Sequence, residues 1–185
     1  MLHHEISGNG KKPLVLLHGF MENTTIWEEM EAHLSKDFTL IKIDLPGHGK
    51  SKVYQEIHTV ELMAEKVKEV IDALKLEKIN LLGHSLGGYV SLAFAEKFPE
   101  ILESMTLFFS TTVADDQEKK AIRRRSIAVI DENFETFVKT SIPNLFSNNE
   151  KDILEGKIEL AKNIAKSTNK EGVKAAQLGM AERPD

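Results

Sequence analysis

The pentapeptide Gly83-His84-Ser85-Leu86-Gly87 stands between an apolar run, Ile79 to Leu82, and a stretch whose apolar residues Leu86, Tyr89, Val90, Ala93 and Phe94 recur at helical spacing. No other feature constrains the fold as much. A strand that turns sharply into a helix at a serine holds that residue in a strained backbone conformation, and the flanking glycines leave room for chain segments to approach closely. The hydroxyl is thereby presented above the sheet. The next amide, that of Leu86, lies at a helix N-terminus, where an oxyanion can be stabilised. The competing reading is a glycine-rich turn with a bystander serine.

The surrounding pattern supports a strand-turn-helix context. Pro13 to His18, Thr39 to Asp44, Ile79 to Leu82 and Ser104 to Phe109 are short, apolar or β-branched runs bounded by Gly, Pro, Asp or Ser, and Leu2 to Ile6 reads as a weaker edge strand. Helical patterns alternate with them, as in βαβ units with a parallel sheet. Val60, Met63, Ala64, Val67, Val70, Ile71 and Leu74 form one apolar face, with Thr59 as N-cap and Glu61 in the first turn. Ile26, Trp27, Met30 and Leu34 mark another helix, in which Trp27 is a core residue. The helix after Ser85 stops at Phe98-Pro99 because proline cannot continue it.

After Ser110 the spacing is helical throughout and predicts about four short helices between Asp115 and Met180. The expected organisation is therefore an α/β fold, a mostly parallel sheet with helices on both faces, with residues 1–112 as core and 113–182 as a helical cap. Ser147-Asn148-Asn149 reads as a loop, and Arg123-Arg124-Arg125 as a solvated helix face.

Composition narrows the chemistry. The 185 residues include no cysteine, which excludes a thiol nucleophile, a disulfide framework and thiolate zinc sites, and suits a reducing compartment such as the cytoplasm. With 24 Lys+Arg against 29 Asp+Glu spread along the chain, no basic patch invites nucleic acid or an anionic membrane surface. No apolar run approaches the ~20 residues of a membrane span. The carboxylates are not clustered at metal-ligand spacing and no glycine-rich phosphate loop is present, so no cofactor or metal is expected.

Two further segments agree with the serine motif. His18-Gly19-Phe20 follows the first central strand, and Asp44-Leu45-Pro46-Gly47-His48-Gly49-Lys50-Ser51 follows the next. Strand, HGF loop, helix, strand, DLPGHGKS loop, helix, strand and GHSLGG elbow together resemble the α/β-hydrolase superfamily, in particular its esterase-like and peroxidase-like branch. The resemblance rests on motifs over residues 2 to 112 and on a helical cap beyond. It implies that Ser85 is the nucleophile, that the backbone N–H groups of Phe20 and Leu86 form the oxyanion hole, and that His18, Gly19 and His84 adjoin the substrate. The DLPGHGKS loop is mainly structural in that family. A serine at the elbow argues against the branches that use a carboxylate there.

A serine hydroxyl needs a base and a carboxylate that orients the base. In the family the order is Ser, then acid, then His. Here His3, His4, His18, His33, His48, His58 and His84 all precede Ser85. Three readings follow: the N-terminal part of a longer serine hydrolase of small-molecule esters or amides; a pseudo-hydrolase that binds a ligand or partner; or a rearranged site within these residues, with His18 as its base candidate. Asp115 and Asp116 are candidates for the acid, helix capping being their other reading. A lyase or transferase on the same scaffold is a further alternative. Phe134, Phe137 and Leu145 in the cap hint at a hydrophobic acyl group. A sheet that ends at the fourth or fifth strand exposes a backbone edge, so a further segment of the polypeptide or another chain is the expected partner.

Overall fold

A computed structural model describes residues 1–185. Five strands, β1 (His4–Ser7), β2 (Lys12–Leu17), β3 (Phe38–Ile43), β4 (Ile79–His84) and β5 (Leu102–Phe108), form one sheet in the order β1-β3-β2-β4-β5. β1 is antiparallel to β3 and every other pairing is parallel. The strands follow the apolar runs, with β5 starting two residues before the expected Ser104.

The helices between strands cover both faces, as a parallel sheet requires. α1 (Glu28–Leu34) lies on one face, preceded by a 3-10 turn at Thr24–Trp27 that Asn23 caps. There Leu14, Leu16, Leu40 and the buried Trp27 pack together. The alternate residues Val15 and Leu17, with Ile41, Ile43 and Leu81, face α2 (Val60–Ala73) and α3 (Leu86–Lys97). This period-two division of β2 is the sheet's side-chain alternation made visible. The Thr59 hydroxyl accepts from the Leu62 N–H and so caps α2 as expected.

The connection after β2 leads to β3 on one side, whereas the connection after β4 leads through α3 to β5 on the other. The C-terminal ends of β2 and β4 thus lie side by side where the winding direction reverses, the place at which open α/β sheets bind ligands.

Four helices follow β5: α4 (Gln117–Glu132), α5 (Phe134–Ser141), α6 (Glu155–Ser167) and α7 (Lys170–Glu182). Ile130, Phe137, Val138, Ile142, Ala165 and Val173 give them a core of their own, into which Met21 reaches from the loop after β2. Phe137 belongs to that core, while Leu145 is 73% exposed. Arg123 departs from the solvated face expected of it. Its guanidinium pairs with the fully buried carboxylate of Asp115 and reaches Gln177 at 3.2 Å. No helix is long and apolar enough to cross a membrane.

Candidate active site

Ser85 lies between β4 and α3 with φ 50° and ψ −111°. A β-carbon makes this region costly, so neighbouring groups must hold the residue there. They do so on both sides: its N–H donates to the Phe108 carbonyl at 3.0 Å, and its carbonyl accepts from the Ser110 hydroxyl at 2.9 Å and the Gly88 N–H at 3.0 Å. The two motif glycines serve close approach. A β-carbon on Gly83 would meet the Gly87 carbonyl oxygen at 2.3 Å, and one on Gly87 would meet the Leu17 carbonyl oxygen at 2.2 Å. Strand, helix and the end of β2 are thereby pressed together around Ser85. The hydroxyl makes no capping bond and is half-buried.

The loop after β2 runs over this turn. Phe20 N–H has no acceptor among the chain's backbone or side-chain groups. Leu86 is the first residue of α3, so its N–H has no partner within the helix. Two donors without acceptors thus flank the strand ends that carry Ser85.

His18 differs from its expected place beside substrate. It is fully buried, its Nε2 accepts from the Leu45 N–H at 2.9 Å, and its Nδ1 therefore carries the proton it donates to the Gly19 carbonyl at 2.7 Å. Burial holds the ring below the usual histidine pKa. Both nitrogens are occupied, so His18 fastens the loop and cannot serve as a base. His48 packs against it, with ring centroids 5.3 Å apart, and burial beside His18 pushes its pKa down to about 3. The buried His58 is lowered for the same reason, burial. Asp44 organises the DLPGHGKS loop, accepting from the Thr24 N–H at 2.8 Å and the Lys50 N–H at 2.9 Å.

His84 turns its ring to the loop: Nδ1 meets Glu22 Oε2 at 2.9 Å, and the ring lies tilted against Phe108 and edge-on to Phe109. The two candidate acids have other partners. Asp116 caps α4 through the Lys119 N–H at 2.7 Å, whereas Asp115 binds Arg123 and Arg183, the latter at 3.1 Å. Glu22 was not visible as a functional residue in the sequence. The only local signal is its position three residues after Gly19, whose N–H it accepts at 2.5 Å. No group of three or more histidine or carboxylate side chains is placed to hold a metal ion.

Residues 12–153 match the family described as the alpha/beta hydrolase fold. The chain belongs to that family. An α/β hydrolase of known structure, a thermophilic esterase from Thermogutta terrifontis, superposes with a TM-score of 0.93 at 36% identity, covering 100% of this chain and 68% of that one. A serine hydrolase-like protein of Mus musculus is 35% identical over 130 residues, 66% of this chain and 42% of that one. The dihydrolipoyllysine-residue acetyltransferase component of an acetoin cleaving system from Pseudomonas putida is 35% identical over 111 residues, 60% of this chain and 30% of that one. The match thus spans less than half the length of these two curated relatives.

Proposed function

We propose that the chain carries the nucleophile side of a serine hydrolase acting on small-molecule acyl esters or amides. Ser85 Oγ attacks the carbonyl carbon while its proton passes to a histidine. The N–H groups of Phe20 and Leu86 hold the oxyanion of the tetrahedral intermediate. Collapse expels the alcohol or amine, which takes the proton back, and water attacks the acyl-Ser85 ester with the same histidine as base. One observation carries this reading: Ser85 is kept in a costly left-handed conformation by hydrogen bonds to its own N–H and carbonyl, while its hydroxyl makes no capping bond. Strain of that kind concentrates at functional sites.

The histidine and its acid come, on this reading, from a further segment of the polypeptide or from another chain. None of the seven histidines bonds to the Ser85 hydroxyl, His18 has no free nitrogen, and His48 and His58 are buried in the interior. The edge of the sheet supports this reading. β5 pairs only with β4, and Met105, Phe108 and Phe109 are 36%, 37% and 81% exposed. Helices α4–α7 act as the cap that walls the acyl pocket. The esterase and hydrolase names among the relatives favour hydrolysis; the acetyltransferase relative keeps transfer of the acyl group to another acceptor as the second reading.

The test is turnover of a p-nitrophenyl ester by the 185 residues alone and by the natural polypeptide that contains them, each with Ser85→Ala. The expected result is Ser85-dependent turnover only in the longer species. Turnover that survives Ser85→Ala refutes the role of Ser85, and ordinary turnover by the short chain refutes the outside base.

A further inference from the structure

We propose that Glu22 is a positioning residue of the acyl-transfer site, its carboxylate fastening the oxyanion loop to the residue that precedes Ser85. The inference rests on the reading of Ser85 as nucleophile. One oxygen, Oε2, accepts both the Gly19 N–H at 2.5 Å and the His84 ring at 2.9 Å. Gly19 immediately precedes Phe20, the residue with the unpaired N–H, and His84 immediately precedes Ser85. A single carboxylate oxygen therefore couples the residue before one oxyanion donor, Phe20, to the residue before the nucleophile, and so sets the spacing of the two backbone segments that carry the Phe20 and Leu86 N–H groups. The segments are in close contact here, since a β-carbon on Gly19 would lie 2.6 Å from Glu22 Oε2 and 2.9 Å from His84 Nδ1.

The loop needs such a tether. Met21 has φ 58°, a conformation a side chain disfavours, and its side chain is pulled into the core of α4–α7. His18 fixes the loop's start beneath the sheet end, and the Glu22 N–H closes a turn onto the Gly19 carbonyl at 3.3 Å. Between these anchors, only the Glu22 carboxylate links the loop directly to the nucleophile turn through a side-chain hydrogen bond. An anion beside a site that develops negative charge is electrostatically adverse. Its two donors offset that charge, and the gain is geometric: a donor fixed in place before reaction needs no reorganisation during it. Charge-assisted bonds suit this task because they are shorter and stronger than neutral ones.

The test uses the natural polypeptide with Glu22→Ala, Glu22→Gln and Ser85→Ala, reading ester turnover together with backbone amide exchange at Gly19. The expected result for Glu22→Ala is a thermal midpoint close to wild type, exchange at Gly19 accelerated at least 10-fold, and kcat lowered about 10- to 100-fold with KM little changed. Removal of an oxyanion donor outright costs about 10²–10³ in kcat. Glu22→Gln, which keeps an acceptor oxygen, recovers part of the loss. Wild-type kcat in Glu22→Ala while Ser85→Ala is inactive overturns this inference and leaves the nucleophile reading intact. Activity retained in Ser85→Ala refutes the nucleophile reading instead. Unchanged exchange at Gly19 in Glu22→Ala overturns the tether whatever the turnover.

Discussion

The buried carboxylate of Asp115 and the guanidinium of Arg183 meet at 3.1 Å although 68 residues separate them. Arg183 also donates to the Val113 carbonyl at 2.7 Å and lies 3.9 Å over the Tyr89 ring of α3. The chain leaving the sheet and the chain returning from α7 are thus clipped together against the core. With Arg123 on its other oxygen, Asp115 sits between two cations. Asp115→Asn leaves the buried Arg183 and the partly buried Arg123 without their counter-charge, and breaking a buried pair in this way costs about 3–5 kcal/mol. Asp116→Ala next to it removes only an N-cap, worth about 1 kcal/mol. Urea unfolding of the two variants measures the contrast; equal losses would show that the clip is energetically unimportant.

Gly87→Ala tests the contact of α3 with the end of β2. The added methyl meets the Leu17 carbonyl oxygen at 2.2 Å, so backbone must move. Overpacking of this kind costs about 1–3 kcal/mol. Gly156, in α6 with nothing within 4 Å, is the control. Alanine there is expected to stabilise by about 0.5–1 kcal/mol through helix propensity. A neutral Gly87→Ala in chemical denaturation would contradict the close approach.

Ser85→Gly tests the strain. At φ 50° glycine carries no β-carbon penalty, whereas alanine does. Ser85→Gly is therefore expected to be more stable than Ser85→Ala by about 1 kcal/mol, read as a difference in urea midpoint at equal m-value. Equal stabilities would mean that Ser85 sits there without strain.

The buried histidines predict acid sensitivity. His48, with its pKa pushed down to about 3, and His18, lowered by burial, stay neutral in the fold, while in the unfolded chain each takes a proton near pH ~6.5. Their contribution is complete above about pH 6.5 and is lost as pH falls toward the folded values. Each ring contributes a slope of up to about 1.4 kcal/mol per pH unit below that point. Unfolding free energies at pH 7, 6 and 5 should fall accordingly, with a shallower slope in His48→Phe. A flat profile would contradict neutral burial.

The sheet, the helix boundaries at Thr59 and Pro99 and the turn at Ser85 were legible because each rests on local signals: apolar alternation, capping and paired glycines. Trp27 lies in the core, as the helical spacing of its segment predicts. His18, Arg123 and Glu22 were not legible because their roles depend on partners brought by the fold. His18 meets Leu45 across 27 residues, Arg123 meets Gln177 across 54, and Glu22 meets His84 across 62. Spacing within a segment carries no information about such pairs. The parallel order of β2, β3 and β4 makes the His18 and Glu22 pairs, by bringing the ends of these strands to one side of the sheet, and the packing of α4 on α7 makes the Arg123 pair.

The role of Ser85 is tested most directly by exposing the natural polypeptide to a fluorophosphonate and mapping the adduct by mass spectrometry. The tryptic peptide Ile79–Lys97 contains two serines, Ser85 and Ser91, so fragmentation within it assigns the site. Ser91 is fully buried and donates to the Gly87 carbonyl, which leaves it unreactive. The expected result is an adduct on Ser85 before any other residue and none in Ser85→Ala; labelling first at another residue, or equal labelling of Ser85→Ala, would contradict it.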